Sequence, residues 1–532
     1  MCLYHFDQLE VNMHTTTSSR VTDRLSWLWL ILGAALLPFT QLQTVLPLAA
    51  WLAPVFLLRF ARTQRAWLAL PVLGLAQYVA TVIALRGILP APMVYLFGLA
   101  GVTGLFTYAA DKALAGRLNG LARTLVFPAA SVMLDWLFGQ SSLGTLMSSV
   151  YSQFGNLPIT QLVSLTGIWG LAFLMAWLAP VANEIWERGL NRNTIRHSLA
   201  PFVAVLSAVL IYGSVRTAFF APNVREARPT VRVAALAADR VLWHGLHTPR
   251  LSELAAGTDA VRADARAQFA PIVDELFART EQQARAGAKI VVWSEAAAFA
   301  LKEDEPELIA RAQRLARQEG IYLQMSVVFA LRTNQFPFGQ NRAVMIDPSG
   351  QVVWDYFKTF HPLGDAEVFA PGPGIVPVVD TPYGRLATVI CFDADFPALV
   401  RQAGQARADI LLVPANDWQP VHVMHAHAAT FRAIENGMSL VRATGNGLAL
   451  AVDDLGQELA TADYYTTDKL TMVADVPTQG IGVLYPRIGD SVAYLCIAGL
   501  ALLTGLAIVR RRVEEASSQV AGAGRANHPI AP

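Results

Sequence analysis

Cysteine is almost missing from this chain: Cys2, Cys391 and Cys496 are the only three among 532 residues. So few and so scattered, they exclude a disulfide framework and a cysteine-based zinc site. Each thiol has to be judged alone. Charge is scarce as well, with Asp, Glu, Lys and Arg together at 15% and a formal net charge of +1. No basic excess is present to hold nucleic acid. Apolar residues fill the gap at 54%, more than an ordinary soluble core absorbs. Internal repeats and low-complexity tracts are absent, and only the tail after Glu515 turns small and polar.

The apolar residues are gathered into runs. Seven nearly charge-free stretches precede residue 222, at about 26–42, 44–58, 67–85, 89–109, 122–139, 161–182 and 199–219, and an eighth spans Ser491 to Val509. A helix crosses a bilayer core with about 20 residues and tolerates about 17. The runs therefore predict eight membrane helices, the second and fifth marginal in length. The first follows a long polar leader and lacks a small-residue cleavage pattern after it, so it reads as a retained helix.

Lys and Arg collect in alternate loops: Arg20 and Arg24; Arg59, Arg62 and Arg65; Lys112, Arg117 and Arg123; Arg188, Arg192 and Arg196; then Arg510, Arg511 and Arg512. The intervening short loops hold little more than Arg86. By the positive-inside rule this places both termini in the cytoplasm. The expected organisation is a cytoplasmic segment at 1–25, a seven-helix membrane region at 26–222, a soluble domain outside at 228–482, a last membrane helix at 490–510 and a cytoplasmic tail at 511–532. In a bacterium with two membranes, outside is the periplasm.

From Pro229 the pattern changes to β-branched runs separated by polar helical stretches. T-V-R-V-A-A-L-A, K-I-V-V-W-S-E, Y-L-Q-M-S-V-V-F-A, L-A-T-V-I-C, D-I-L-L-V-P, S-L-V-R-A-T and G-L-A-L-A-V-D read as strands. A-V-M-I-D-P-S-G-Q-V-V-W-D-Y reads as a hairpin. Helices are expected over Leu251–Ala286 in one or two pieces, from Pro306 to Glu319 with Gly320 as the stop, near Pro397–Ala406, and from about His425 to Asn436. Alternating strands and helices over 250 residues predict an α/β domain with covered sheets.

Ligands of such sheets sit beyond the strands' carboxyl ends. Three reactive side chains fall there: Glu295 after V-V-W-S, Lys358 after V-V-W-D-Y-F, and Cys391 after A-T-V-I. Singly, each has a bland explanation as a cap, a solvated lysine or a small buried thiol. Together they make an acyl-transfer set, with a thiolate to attack a carbonyl, a carboxylate to move its proton and an ammonium to stabilise thiolate and oxyanion.

With those residues in place, the region resembles the carbon-nitrogen hydrolase (nitrilase) superfamily. The matching pieces are V-V-W-S-E-A, Y-F-K-T-F-H-P, F-A-P-G, Y-G-R-L-A-T-V-I-C-F-D-A-D-F-P, I-L-L-V-P-A-N-D-W and F-R-A-I-E-N-G-M-S-L-V-R-A-T-G-N-G. Apolar helices on both sides of the domain, with Y-S-Q and P-I-T-Q-L-V-S-L-T-G-I-W-G-L-A-F-L before and within the sixth, narrow the resemblance to the membrane-bound apolipoprotein N-acyltransferases.

The resemblance implies an αββα sandwich beside about eight membrane helices, with Glu295 as general base and acid, Lys358 at the oxyanion and Cys391 as nucleophile. It implies no cofactor and no metal, a phospholipid acyl donor, a diacylated apolipoprotein acceptor and a bacterial inner membrane; soluble members of the superfamily associate, but eight membrane helices with a lipid-facing site work alone, so a monomer is expected. The backbone N–H of Phe392 would assist at the oxyanion, and either Asp365 or Glu367 would be a second acid. The chain departs from the family pattern at Ser294, at Phe392-Asp393, at Gly364-Asp365-Ala366-Glu367, and at Asn416-Asp417-Trp418-Gln419, which is one residue short. Trp418 either lines an acyl pocket or packs.

Several other residues are conspicuous. His422, His425 and His427 lack a carboxylate or cysteine at metal-ligand spacing. Arg432 and Glu435 read as a structural ion pair. Asp135 in the fifth apolar run is an intramembrane acid, a functional signal by default. The competing readings are a membrane-tethered amidase, whose domain would work after excision, and a non-catalytic membrane scaffold, which the intact triad disfavours.

Overall fold

The computed structural model describes residues 24–219 and 228–526. Cys2 and Arg20 lie outside them. Among the described residues six helices are long and apolar enough to cross a membrane: Ala66–Leu85, Ala91–Arg117, Gly120–Gly139, Ile168–Arg188, Arg192–Phe219 and Ser491–Ser517. The fifth run, marginal by sequence, is a full-length helix. Two other runs give shorter helices. The first, Ser26–Leu36, ends in a 3₁₀ turn over Leu37–Phe39 and stops short of residue 42. The second, Pro47–Thr63, runs past its expected end into charged residues.

That extension is possible because its arginines are partnered. Arg62 makes a bidentate pair with Asp111, both contacts at 2.8 Å. Arg123 reaches Glu184 at 2.9 Å in the same charged cluster. The sixth run also breaks where sequence indicated continuity. Short turns at Leu157–Thr160 and Val163–Thr166 precede Gly167, whose φ of +63° restarts the chain as Ile168–Arg188. A Cβ at Gly167 would lie 2.4 Å from the ring of Tyr485, so backbone and ring approach closely there only because the residue is glycine.

The remaining chain forms two sheets from thirteen strands: β1 Thr230–Leu236, β2 Ile290–Trp293, β3 Ala298–Leu301, β4 Tyr322–Ala330, β5 Gly339–Ile346, β6 Val352–Phe357, β7 Val378–Thr381, β8 Gly384–Thr388, β9 Ile410–Asn416, β10 Ser439–Gly445, β11 Leu448–Val452, β12 Glu458–Asp463 and β13 Thr471–Pro477. One sheet has the order β13-β1-β2-β4-β5-β6, with β3 against β4, and the other β12-β11-β10-β9-β8-β7. In each, parallel central strands give way to antiparallel hairpins at the edge. The short, half-exposed β7 and β12 carry no apolar alternation that sequence reading detects.

Period-two alternation decides the layers. Val231, Val233 and Ala235 of β1 face the other sheet and meet Leu386, Ile410, Leu412 and Val441. Ala234 and Leu236, on the opposite face, pack under Ile272, Leu276, Leu308 and Ala312 of helices Asp259–Arg285 and Glu305–Glu319. The second sheet is covered by Pro397–Gln405 and His422–Asn436. Helix, sheet, sheet, helix is the four-layer arrangement the resemblance implied.

His422–Asn436 is buried on both sides. Ala426, Ala429 and Ala433 sit on the sheet, while Met424, Ala428, Phe431 and Ile434 enter the core shared with the apolar helices. Arg432 and Glu435 form the structural pair expected from their spacing, 3.1 Å apart and fully buried. They also reach outward. Glu435 Oε1 accepts from Ile168 N at 2.9 Å, placing a carboxylate on the N-terminus of helix Ile168–Arg188, and Arg432 donates to the Tyr151 hydroxyl at 3.3 Å.

Candidate active site

The three strand-end residues come together in the interior. Glu295 follows β2 and is 4% exposed, and Lys358 follows β6 and is 2% exposed. Lys358 Nζ donates to Glu295 Oε1 at 2.7 Å. The same oxygen accepts from Asn341 Nδ2 of β5 at 2.7 Å, and Oε2 accepts from Asn416 N at the end of β9 at 3.0 Å. One carboxylate thus joins both sheets and has its orientation set by three donors. Asn341 was not singled out by sequence reading, and Asn416 was noted only in a shortened loop, since a polar residue in an apolar strand is a weak signal without its partner.

Cys391 opens a 3₁₀ turn, Cys391–Asp395, at the end of β8. Its φ is +49°, in the left-handed region that non-glycine residues rarely occupy. Ala296 at +51° and Asn446 at +50° share this strain, and both border the small cleft beside Glu295 with Trp243 and Tyr464. Leu42 and Arg407 share the conformation elsewhere, so three of the five such residues among the described residues lie at this site. The buried thiol lies 3.8 Å from Asn416 O. Burial, and next the Glu295 carboxylate, push the thiol well up, while Lys358 and Arg442 pull it down. For Lys358, burial opposes the charge, but Glu295, Cys391 and Asp365 outweigh it and keep the ammonium protonated.

Two acids were left as alternatives for the lysine's second partner. Asp365 Oδ2 is 3.3 Å from Lys358 Nζ, and burial, followed by Glu295, raises its carboxyl above the usual range. Glu367 is exposed two residues on, with no hydrogen bond to the cluster among the described residues. Phe392 is buried and packs edge-on against Phe396. Trp418 is 36% exposed on the loop after β9.

Asp393 is a clamp. Its Oδ1 accepts from Phe360 N at 2.7 Å and Thr359 N at 3.1 Å, and its Oδ2 accepts from the Tyr356 hydroxyl at 2.7 Å and Ile390 N at 3.0 Å. The residues directly after Lys358 are thereby tied to the turn that carries Cys391. Burial pushes this carboxyl up to about 6, and the four donors hold it ionised at neutral pH.

A second network braces the other side. His425 bridges Asp417 and Asp395, each at 2.7 Å, and Arg442 grips Asp417 with two contacts at 2.8 and 2.9 Å. Burial disfavours a charged imidazole, but the two carboxylates outweigh it and raise His425 to about 9. Cys391, Asp417 and His425 offer ligand atoms within 4.8 Å of one another. Both ring nitrogens are already engaged, so that trio holds no free imidazole for a metal ion. His427 stacks on Phe154 at 3.7 Å instead.

The C-terminal half has the nitrilase-like carbon-nitrogen hydrolase fold, and the carbon-nitrogen hydrolase family model matches residues 258–484. The relatives are more particular. The chain is 26% identical over 436 residues to an apolipoprotein N-acyltransferase of Geobacter metallireducens, covering 75% of this chain and 77% of that one. It is 25% identical over 452 residues to an apolipoprotein N-acyltransferase of Bradyrhizobium diazoefficiens, covering 79% of each. The acyltransferase resemblance read from the sequence is borne out by these relatives. A solved amidase from Nesterenkonia sp. is 20% identical and covers 47% of this chain and 91% of its own, with a TM-score of 0.36.

Proposed function

We propose that the protein moves a fatty acyl chain from phospholipid to the α-amine of an N-terminal diacylglyceryl-cysteine on apolipoproteins, through a thioester on Cys391. The observation that carries this reading is that the Glu295–Lys358–Cys391 cluster sits in a domain whose helix His422–Asn436 is packed into the apolar-helix core. Substrates that keep their acyl chains in lipid need such a site, because withdrawing a chain into water costs about 0.8 kcal/mol per CH₂.

In this reading Glu295 takes the thiol proton as Cys391 attacks the ester carbonyl. Lys358 faces the developing oxyanion together with the backbone N–H of Phe392, and Asp365 orients Lys358. The tetrahedral adduct expels a lysophospholipid alkoxide, which takes a proton from Glu295. The incoming amine then attacks the thioester, gives a proton back to the carboxylate and releases the thiolate. Trp418 lines the way to the thioester. The eight apolar segments cross the membrane with both termini in the cytoplasm and the catalytic domain on the periplasmic side of a bacterial inner membrane, and the protein works as a monomer without cofactor or metal.

The test incubates purified protein with phospholipid and a diacylglyceryl-cysteine peptide and follows both by mass spectrometry. A mass shift of one acyl chain on Cys391, followed by N-acyl peptide, is expected. No acylation of Cys391 with any phospholipid sinks the proposal, and a thioester that only water resolves converts it to a lipid-directed hydrolase.

A further inference from the structure

Asp135, the intramembrane acid, plays no part in the chemistry above. It borders a half-open cavity of about 260 Å³ lined by helices Pro47–Thr63, Ala66–Leu85, Gly120–Gly139 and Ile168–Arg188 and the broken helix between Ala91 and Leu114. The wall carries side-chain oxygens of Gln77, Thr81, Thr107, Ser131 and Ser148 as well as the carboxylate. Lys, Arg and His are absent from the lining among the described residues. Among the described residues the carboxylate has no hydrogen bond or charge partner, and the side-chain oxygen of Gln77, whose amide meets the Tyr108 hydroxyl, is buried without a donor. Two acceptors that lack donors therefore share one space large enough for several waters.

The cavity wall is tied to the turn that carries Cys391. Thr145, on its wall, donates from both N and Oγ1 to Asp395 O at 2.8 and 2.7 Å, four residues beyond Cys391. A lone acid among apolar helices calls for a cation or for protonation, since a charge there is costly unless paired. A bare metal ion would leave most of the volume empty. A primary ammonium on a larger molecule fits better, because its three N–H donors match a carboxylate, an amide oxygen and hydroxyls.

We propose that the Asp135 cavity is a binding site for a primary ammonium group presented by a lipid-linked substrate. This deepens the acyl-transfer reading and rests on it for the source of that group, which is either an ethanolamine headgroup on the acyl donor or the free α-amine of the acceptor.

The experiment uses full-length Cys391→Ala protein in detergent micelles, with bound species counted by native mass spectrometry. Phosphatidylethanolamine competes against phosphatidylcholine and phosphatidylglycerol in one arm, and diacylglyceryl-cysteine peptide competes against its N-acetylated form in the other. A preference of about tenfold for the ammonium ligand is expected in one arm, which identifies the source. It falls within about twofold of unity in Asp135→Asn and is retained in Asp135→Glu, so loss through misfolding is separated from loss of the acceptor. Absence of preference in both arms, or a preference that survives Asp135→Asn, overturns the proposal. The wild-type protein is assayed for N-acylation in parallel. Transfer without ammonium preference removes this site alone, and preference without transfer removes the acyl-transfer reading alone.

Discussion

Replacing Asp393 by Asn tests how the lysine and cysteine are held in register. The change is nearly isosteric, so packing is preserved and only acceptor capacity alters. The carboxylate accepts four hydrogen bonds, from Phe360 N, Thr359 N, the Tyr356 hydroxyl and Ile390 N. An amide offers one oxygen with two lone pairs and turns an NH₂ toward the remaining donors. The Tyr356 hydroxyl can turn to accept from that NH₂, so one buried donor is left unsatisfied at about 1–3 kcal/mol, and about 2 kcal/mol of stability is lost. For a domain of this size that is a fall in Tm of roughly 4–8 °C. The residues freed first follow Lys358 directly, and a misplacement of about 1 Å lowers the rate of Cys391 acylation on the order of 100-fold. Scanning calorimetry in detergent and a time course of the Cys391 thioester measure the two effects. An Asn variant with unchanged Tm and unchanged acylation refutes the clamp.

Three further outcomes follow from the same geometry. His425, raised to about 9 from an ordinary 6.5, contributes stability that is complete below pH 6.5 and lost as pH rises through 9. Thermal unfolding should therefore weaken by about 3 kcal/mol across that window, and a His425→Gln variant should show no such slope. Glu435→Gln leaves Arg432 as a buried charge without its pair at 3.1 Å, so a loss of about 3–5 kcal/mol in unfolding free energy is expected; a neutral result would show that the apolar face alone docks the helix. Asn341→Leu removes one of the three donors that orient Glu295 and should slow Cys391 acylation about tenfold or more, with phospholipid binding to the Cys391→Ala background unchanged.

Glu295, Lys358 and Cys391 were legible as candidates because each stands at the end of an apolar run, where strand and turn signals are local. Cys391 was visible for a simpler reason, as a thiol in a chain that has almost none. The acceptors and donors around these residues were not. Glu295 meets Asn341 across 46 residues and Asn416 across 121, and nothing in the spacing of a polar residue inside β5 or at the end of β9 announces such a meeting. The choice between Asp365 and Glu367 turned on where a short 3₁₀ turn points its side chains. Asp393 stood in the sequence only as a departure from the family pattern, and its four donors became visible in the fold.

Length and hydropathy determined that apolar helices flank an α/β domain, because both depend on composition within one helix or strand. Helix ends departed from that reading where tertiary partners changed the balance. Pro47–Thr63 extends through Arg59 and Arg62 because Asp111 and Glu187 meet the charge, and the sixth run breaks at Gly167 where Tyr485 presses on the backbone. The sequence alone determined which reactive groups are available and that they end strands. Only the tertiary structure decided which of them touch, since sheet order and interface packing select pairings that residue spacing does not encode.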